Sequence, residues 1–261
     1  MRAVLSAVIL LTYIAAVNIL LGLKGLHSRG TTLDWLLGKT LGIEVNLLNG
    51  PDMETRGRSL IICNHPTYLD GFIISQWAIR MGVFSRIRFI VADWVTSVPL
   101  GGAFTRHHMI PIKRSWETDR TILRDAIAAL PDDAIVFIFP EGTTFCPAGL
   151  EKTIDYARSH RLPIYKYLLC PRVRGLKYML EIGKWSHIYD MTLIMPDRMV
   201  NPFIGSDFSY VLWGKYPRRC DVSWRKVHGP GQVNATHEWL HHMWHVKDTC
   251  LGAGHPRAAK I

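Results

Sequence analysis

Short, continuous apolar runs separated by stretches of helical period confine this chain to one kind of architecture. The runs are Leu60–Cys63, Ile87–Val91, Met109–Ile112, Ile135–Phe139, Tyr165–Leu169 and Ile188–Met195. A strand with one wet face alternates polar and apolar residues; most of these runs do not, which is the pattern of strands covered on both faces. Between them, Asp119–Leu130 sets Ile122, Leu123, Ala126, Ile127 and Leu130 on one helical face, and Thr67–Arg80 and Thr153–Arg161 read similarly. Strand and helix in alternation build a mostly parallel sheet flanked by helices. Val211–Val227 reads as a late pair of strands around Lys215–Arg219, and Thr236–Cys250 as a closing amphipathic helix. The expectation is α/β: a single domain over residues 44–251 with a mostly parallel sheet, and a flexible tail at 252–261.

Residues 1–43 are different. No charge occurs from Ala3 to Leu23, and Arg2 and Lys24 bracket the run. At 1.5 Å per residue these 21 residues match a hydrocarbon core of about 30 Å. A cleaved signal peptide has a shorter apolar region and a small-residue cleavage site after it, which is absent here. An N-terminal hydrophobic membrane-anchor helix over 3–23 is therefore expected. Leu33, Trp35, Leu36, Leu37 and Leu41 form a second apolar segment within 33–42, so a monotopic two-helix anchor is an alternative to a spanning one. Lys24, His27, Arg29 and Lys39 follow the run, and this basic excess places the main domain on the cytoplasmic side. The five cysteines are scattered, with no C-x-x-C, and this excludes a disulfide framework or a cysteine zinc site. A formal charge of +10 suits an anionic membrane or a phosphorylated ligand. No nucleic-acid motif accompanies it.

The segment Asn64-His65-Pro66-Thr67-Tyr68-Leu69-Asp70 follows a strand and leads into a helix. Pro66, with no N–H, suits the first helical position. On one continuous helix His65 and Asp70 would diverge by about 140°. With His65 in the preceding loop, Asp70 in the opening turns reaches back to the ring. Such a pair fixes the imidazole tautomer and stabilises the imidazolium formed when the base takes a proton. A structural histidine beside a solvated aspartate would carry the same spelling. Further along, Pro140-Glu141-Gly142-Thr143 turns out of the Ile135–Phe139 strand, and a Gly-Thr step there offers N–H groups and a hydroxyl to an anion. Glu141 is placed to hold an arginine or a substrate hydroxyl. Met109–Ile112 ends in Lys113 and Arg114; arginine grips phosphate bidentately, whereas lysine supplies a point charge.

In this order and spacing, Asn64-His65…Asp70, Arg114, Phe139-Pro140-Glu141-Gly142-Thr143 and Tyr165–Arg172 resemble the glycerolipid acyltransferases of the 1-acylglycerol-3-phosphate acyltransferase type, over about residues 45–200. Thr144 stands where many members carry arginine. Tyr165–Gly175 and Ile188-Tyr189-Asp190-Met191-Thr192 are similar to the lysocardiolipin acyltransferase-like branch. The resemblance implies His65 as general base, oriented by Asp70, taking the proton of a lysophospholipid hydroxyl as it attacks an acyl thioester. Asn64, Lys113, Arg114, Pro140, Glu141, Gly142 and Thr143 would seat the substrate. The implied partners are a lysophospholipid acceptor, membrane lipid, and acyl-CoA or acyl carrier protein as co-substrate; no cofactor or metal is implied. Cys63, at a buried strand's end, reads as packing rather than as a nucleophile. The sharpest rival is His237-Glu238-Trp239-Leu240-His241, a zincin spelling, for which no third ligand stands at the required spacing. A non-catalytic lipid-binding relative is the other alternative.

Overall fold

The computed structural model describes residues 42–48, 50–54, 56–97, 108–206, 210, 214–227 and 237–253. Among them lie seven strands: β1 (Glu44–Leu47), β2 (Ser59–Cys63), β3 (Ile87–Ala92), β4 (Met109–Ile112), β5 (Ile135–Ile138), β6 (His187–Ile194) and β7 (Arg219–Val227). They form one sheet in the order β1-β7-β6-β2-β5-β3-β4. Every neighbouring pair is parallel except β6 with β7. The helices are α1 (Asp70–Arg80), α2 (Trp116–Ala128), α3 (Pro147–Ser159), α4 (Val173–Ile182), the short α5 (Asp197–Val200) and α6 (His237–Gly252).

The central strand shows why the apolar runs are continuous. Ile61 and Cys63 face a core built with Ile73, Ile74 and Trp77 of α1, while Leu60 and Ile62 face a second core with Leu123, Leu176, Met179, Met243 and Trp244. Successive side chains point to opposite faces, so a strand with helices on both sides is apolar at every position. All five residues of β2 are buried.

Several expectations are corrected. Tyr165–Leu169 is not a strand. Its amides are taken by side chains: Lys166 and Tyr167 donate to the Asp248 carboxylate, Leu169 to Glu141 and Cys170 to Thr153. With those donors committed, no ladder can form. Thr67–Arg80 begins as a helix only at Asp70, so Pro66 lies in the connecting loop and not at the first helical position. The helix expected at Thr153–Arg161 starts earlier, at Pro147, where the Cys146 sulfur accepts the Gly149 amide. Of the late strand pair, the second member is β7, antiparallel to β6; residues 211–213 lie outside the described set. The anchor segment 3–23, residues 33–41 of the second segment and residues 254–261 of the expected tail also lie outside it, while Gly252, expected in the tail, closes α6. Among the described residues no helix is long and apolar enough to cross a membrane.

The carboxy-terminal helix docks through buried charge. Lys247, 2% exposed, meets the Asp190 carboxylate at 2.6 Å and donates to the carbonyls of Ile62 and Met191. Asp190 is also held by Arg225 at 3.0 Å. Removing one partner of a buried pair leaves the other uncompensated, at a cost of roughly 3–5 kcal/mol. Asp190→Asn is therefore expected to destabilise the protein by that order. Lys247→Met, which leaves Asp190 its arginine, should cost less. Urea unfolding of the two variants checks the ranking.

Candidate active site

β2 runs between β5 and β6, so the chain departs from it to one side and later returns to the other. In open α/β sheets this is where a crevice opens beyond the carboxyl ends of the strands. The loop after β2 enters that crevice. Asn64 anchors it by acting as a further peptide unit: its amide donates to the Leu193 carbonyl (3.1 Å) and its oxygen accepts the Leu193 amide (2.8 Å). That commitment fixes the direction of the next residue, His65.

His65 Nδ1 lies 2.8 Å from Asp70 Oδ2. Asp70 is 1% exposed, and its carboxylate is held by the Thr67 amide (3.1 and 3.2 Å) and the Thr67 hydroxyl (2.8 Å). With donors on both oxygens the carboxylate cannot swing. A carboxylate only accepts, so Nδ1 carries the proton and Nε2 is left with a lone pair. The ring rests on Phe139, with centroids 4.6 Å apart. The side chain keeps 26% of its surface exposed, so the ring is reachable from solvent.

Glu141 faces inward, 3% exposed, instead of lining the open edge. Oε1 accepts the His65 amide (3.0 Å) and Oε2 the Leu169 amide (3.1 Å). Burial pushes its carboxyl from 4.5 up to about 7, partly offset by these two bonds and by the fields of His65 and Arg198. The turn is tied to His65 from the other side as well, since Phe145 N–H donates to the His65 carbonyl at 2.9 Å. Pro140 is buried with its carbonyl taken by Arg172, Gly142 is exposed in the left-handed region at φ 71°, and Thr143 is half-buried.

Lys113 and Arg114 are exposed at the carboxyl end of β4. Strand order puts them three strands from β2, a lateral offset of roughly 14 Å at about 4.8 Å per strand. They share the edge with His65 without contacting it. The Lys113 amide is fixed by Asp119 at 2.7 Å, and Arg114 adopts φ 60°, a conformation costly for a side chain with a Cβ. That strain aims the residue out of the strand line.

Two other sequence candidates are resolved by burial. Cys63 is fully buried, and desolvation raises its thiol well above the ordinary range, so a nucleophilic thiolate is disfavoured. His241 points inward with Nδ1 on the Tyr165 hydroxyl (2.8 Å), while His237 is exposed. Among the described residues no cluster of three His, Cys, Asp or Glu could hold a metal. Thr67 and Arg198 are functional neighbours that motif reasoning does not single out. The Thr67-x-x-Asp70 spelling, a capping-box pattern, carries the signal for the first. No local pattern marks the second.

A family model described as Acyltransferase matches residues 45–182, just over half of the chain. The chain is 28% identical to the probable 1-acyl-sn-glycerol-3-phosphate acyltransferase 5 of Arabidopsis thaliana, over 78% of this chain and 56% of that protein. It is 25% identical to lysocardiolipin acyltransferase 1 of Mus musculus, covering 83% of this chain and 59% of the relative. The 2-acyl-1-lysophosphatidylinositol acyltransferase of Saccharomyces cerevisiae is 24% identical, with 75% and 61% covered. The chain thus spans less than two thirds of the length of these relatives. In fold it is similar to the crystal structure of the 1-acyl-sn-glycerophosphate acyltransferase PlsC of Thermotoga maritima, with a TM-score of 0.65, 12% identity and 97% of each chain covered.

The raised Glu141 carboxyl carries a pH signature. A folded-state value above the unfolded one gives stability that is complete below 4.5 and is lost as the pH rises through about 7. Relative to Glu141→Gln, the wild-type protein is expected to lose on the order of 3 kcal/mol between those limits. Denaturant melts of both proteins across that window measure the difference.

Proposed function

The chain belongs to the acyltransferase family, and on that premise we propose that it moves a fatty acyl group from an acyl thioester to a free hydroxyl of a lysophospholipid. One observation carries the reading: an imidazole held at 2.8 Å by a buried, fully bonded carboxylate, with its other nitrogen open to the carboxyl edge of the sheet. His65 Nε2 takes the proton of the acceptor hydroxyl while that oxygen adds to the thioester carbonyl. The C–S bond then breaks, and the imidazolium returns its proton to the departing sulfur. General-base action of this kind is worth roughly 10²–10⁴ in rate.

The printed names of the relatives favour a phosphorylated lysolipid such as 1-acylglycerol-3-phosphate, or a lysocardiolipin or lysophosphatidylinositol type of acceptor. The donor in this reading is acyl-CoA or acyl carrier protein. Arg114, with Lys113, takes the phosphate, and the exposed Gly142–Thr143 step borders the acceptor. Glu141 and Asn64 act by fixing the backbone at His65. The uncharged run at 3–23 anchors the enzyme to a membrane with the domain on the cytoplasmic side. Tyr68, Trp94 and Val200 are exposed apolar side chains in segments that follow β2, β3 and β6 at the carboxyl edge, which suits an active site working at a lipid surface.

Purified protein supplied with labelled acyl-CoA and a panel of lysolipids is expected to form ester with at least one acceptor. His65→Ala should abolish the activity, and Asp70→Asn should lower kcat by about 10²-fold. Arg114→Ala should raise KM for a phosphorylated acceptor with kcat little changed, as loss of uniform binding does. Full activity in His65→Ala would sink the reading, and a fall in kcat alone for Arg114→Ala would remove Arg114 from phosphate binding.

A further inference from the structure

We propose that Arg198 is a positioning residue of this reaction: its buried guanidinium locks the backbone directly after His65 and supplies the countercharge for the Asp70 and Glu141 carboxylates. The proposal rests on the reading of His65 as the base. Arg198 lies in α5, beyond the end of β6 and outside residues 45–182. It is 7% exposed. Nη1 donates to the Pro66 carbonyl at 2.6 Å, Nε donates to the Pro202 carbonyl at 2.8 Å, and Nη2 donates to the same oxygen. The flat face lies over the Phe145 ring, 4.6 Å from Cζ to centroid. Phe145 in turn donates its amide to the His65 carbonyl. One side chain therefore joins three segments: the loop holding the base, the turn holding Glu141, and the 196–206 stretch that lies over both. That stretch touches the loop again where Tyr68 donates to the Gly205 carbonyl.

Hydrogen bonding alone does not explain a cation here. Carbonyls can be served by a neutral amide, and desolvating a charge costs several kcal/mol. Burial pushes the guanidinium down to about 10, and the fields of Asp70 and Glu141 act in the opposite sense. It therefore stays charged at neutral pH, within the fields of two buried carboxyls. Lys166 is the other cation on the small cavity that Arg198 lines with Asn64, Pro66 and Phe145, but it is exposed. Arg198 is the buried countercharge of the site among the described residues.

The test is the pH profile of kcat/KM for Arg198→Met, Arg198→Gln and Arg198→Lys with the acceptor that supports turnover. Loss of the cation raises the Glu141 carboxyl further, so its ionised form appears only at higher pH. The acidic limb should move up by about one unit in the Met and Gln variants. Their kcat should fall about 10²-fold from misplacement of the base, with KM for donor and acceptor within about threefold. Arg198→Lys keeps the charge but not the bidentate brace, so its limb should stay in place while kcat falls. A merely structural role would lower stability and leave every limb unmoved, which would overturn the proposal. If the Met variant does not fold, the comparison of Gln with Lys decides. Activity retained in His65→Ala would overturn the underlying reading instead, and that outcome is separate from any result at position 198.

Discussion

A buried carboxylate with two backbone amides on it organises this site. Glu141 closes a bridge from the His65 amide, after the central strand, to the Leu169 amide in the segment before α4. Each acceptor oxygen meets one donor, so the ionised form fits the geometry even though burial resists it. The cost of holding that charge inside is only partly offset by the two hydrogen bonds and by the fields of His65 and Arg198, so the carboxyl sits at about 7. Without the bridge, the His65 loop would keep its contacts through Asn64, the Phe145 amide and Arg198 but lose its tie to the segment before α4.

The rest of the site follows from the sheet. A parallel sheet needs crossovers, and crossovers put helices on both faces. That makes each strand apolar throughout and drives the polar chemistry to the strand ends. Asn64, His65 and Glu141 therefore cluster at the carboxyl edge, where β2 and β5 stop pairing. Two carboxylates that stay inside are paired: Asp70 with Thr67 and His65, Asp190 with Lys247 and Arg225. Such networks are costly when incomplete and rigid when complete. The first of them holds His65, whose own ring remains a quarter exposed.

Local pattern carried part of this arrangement well. The five apolar runs from Leu60 to Phe139 and at Ile188–Met195 are strands, because burial on both faces leaves an unambiguous signature. Tyr165–Leu169 carried the same signature and is not a strand, because residues far away in sequence, Asp248 and Glu141, take its amides. β1 is four residues with a mixed burial pattern at the sheet edge, too short for periodicity to register. α4 is only ten residues long, with Val173, Leu176 and Met179 on its buried face.

By itself the sequence determined the fold class, the pairing of His65 with Asp70, and the family, since each depends on residue types at fixed local spacing. Only the tertiary structure decided that Glu141 and Asn64 face inward onto backbone, that Arg114 stands strands away from His65, and that Arg198 bonds to the loop after His65. Those outcomes depend on strand order and on which distant carbonyl or amide lies within about 3 Å of a side chain. No spacing along the chain encodes that distance.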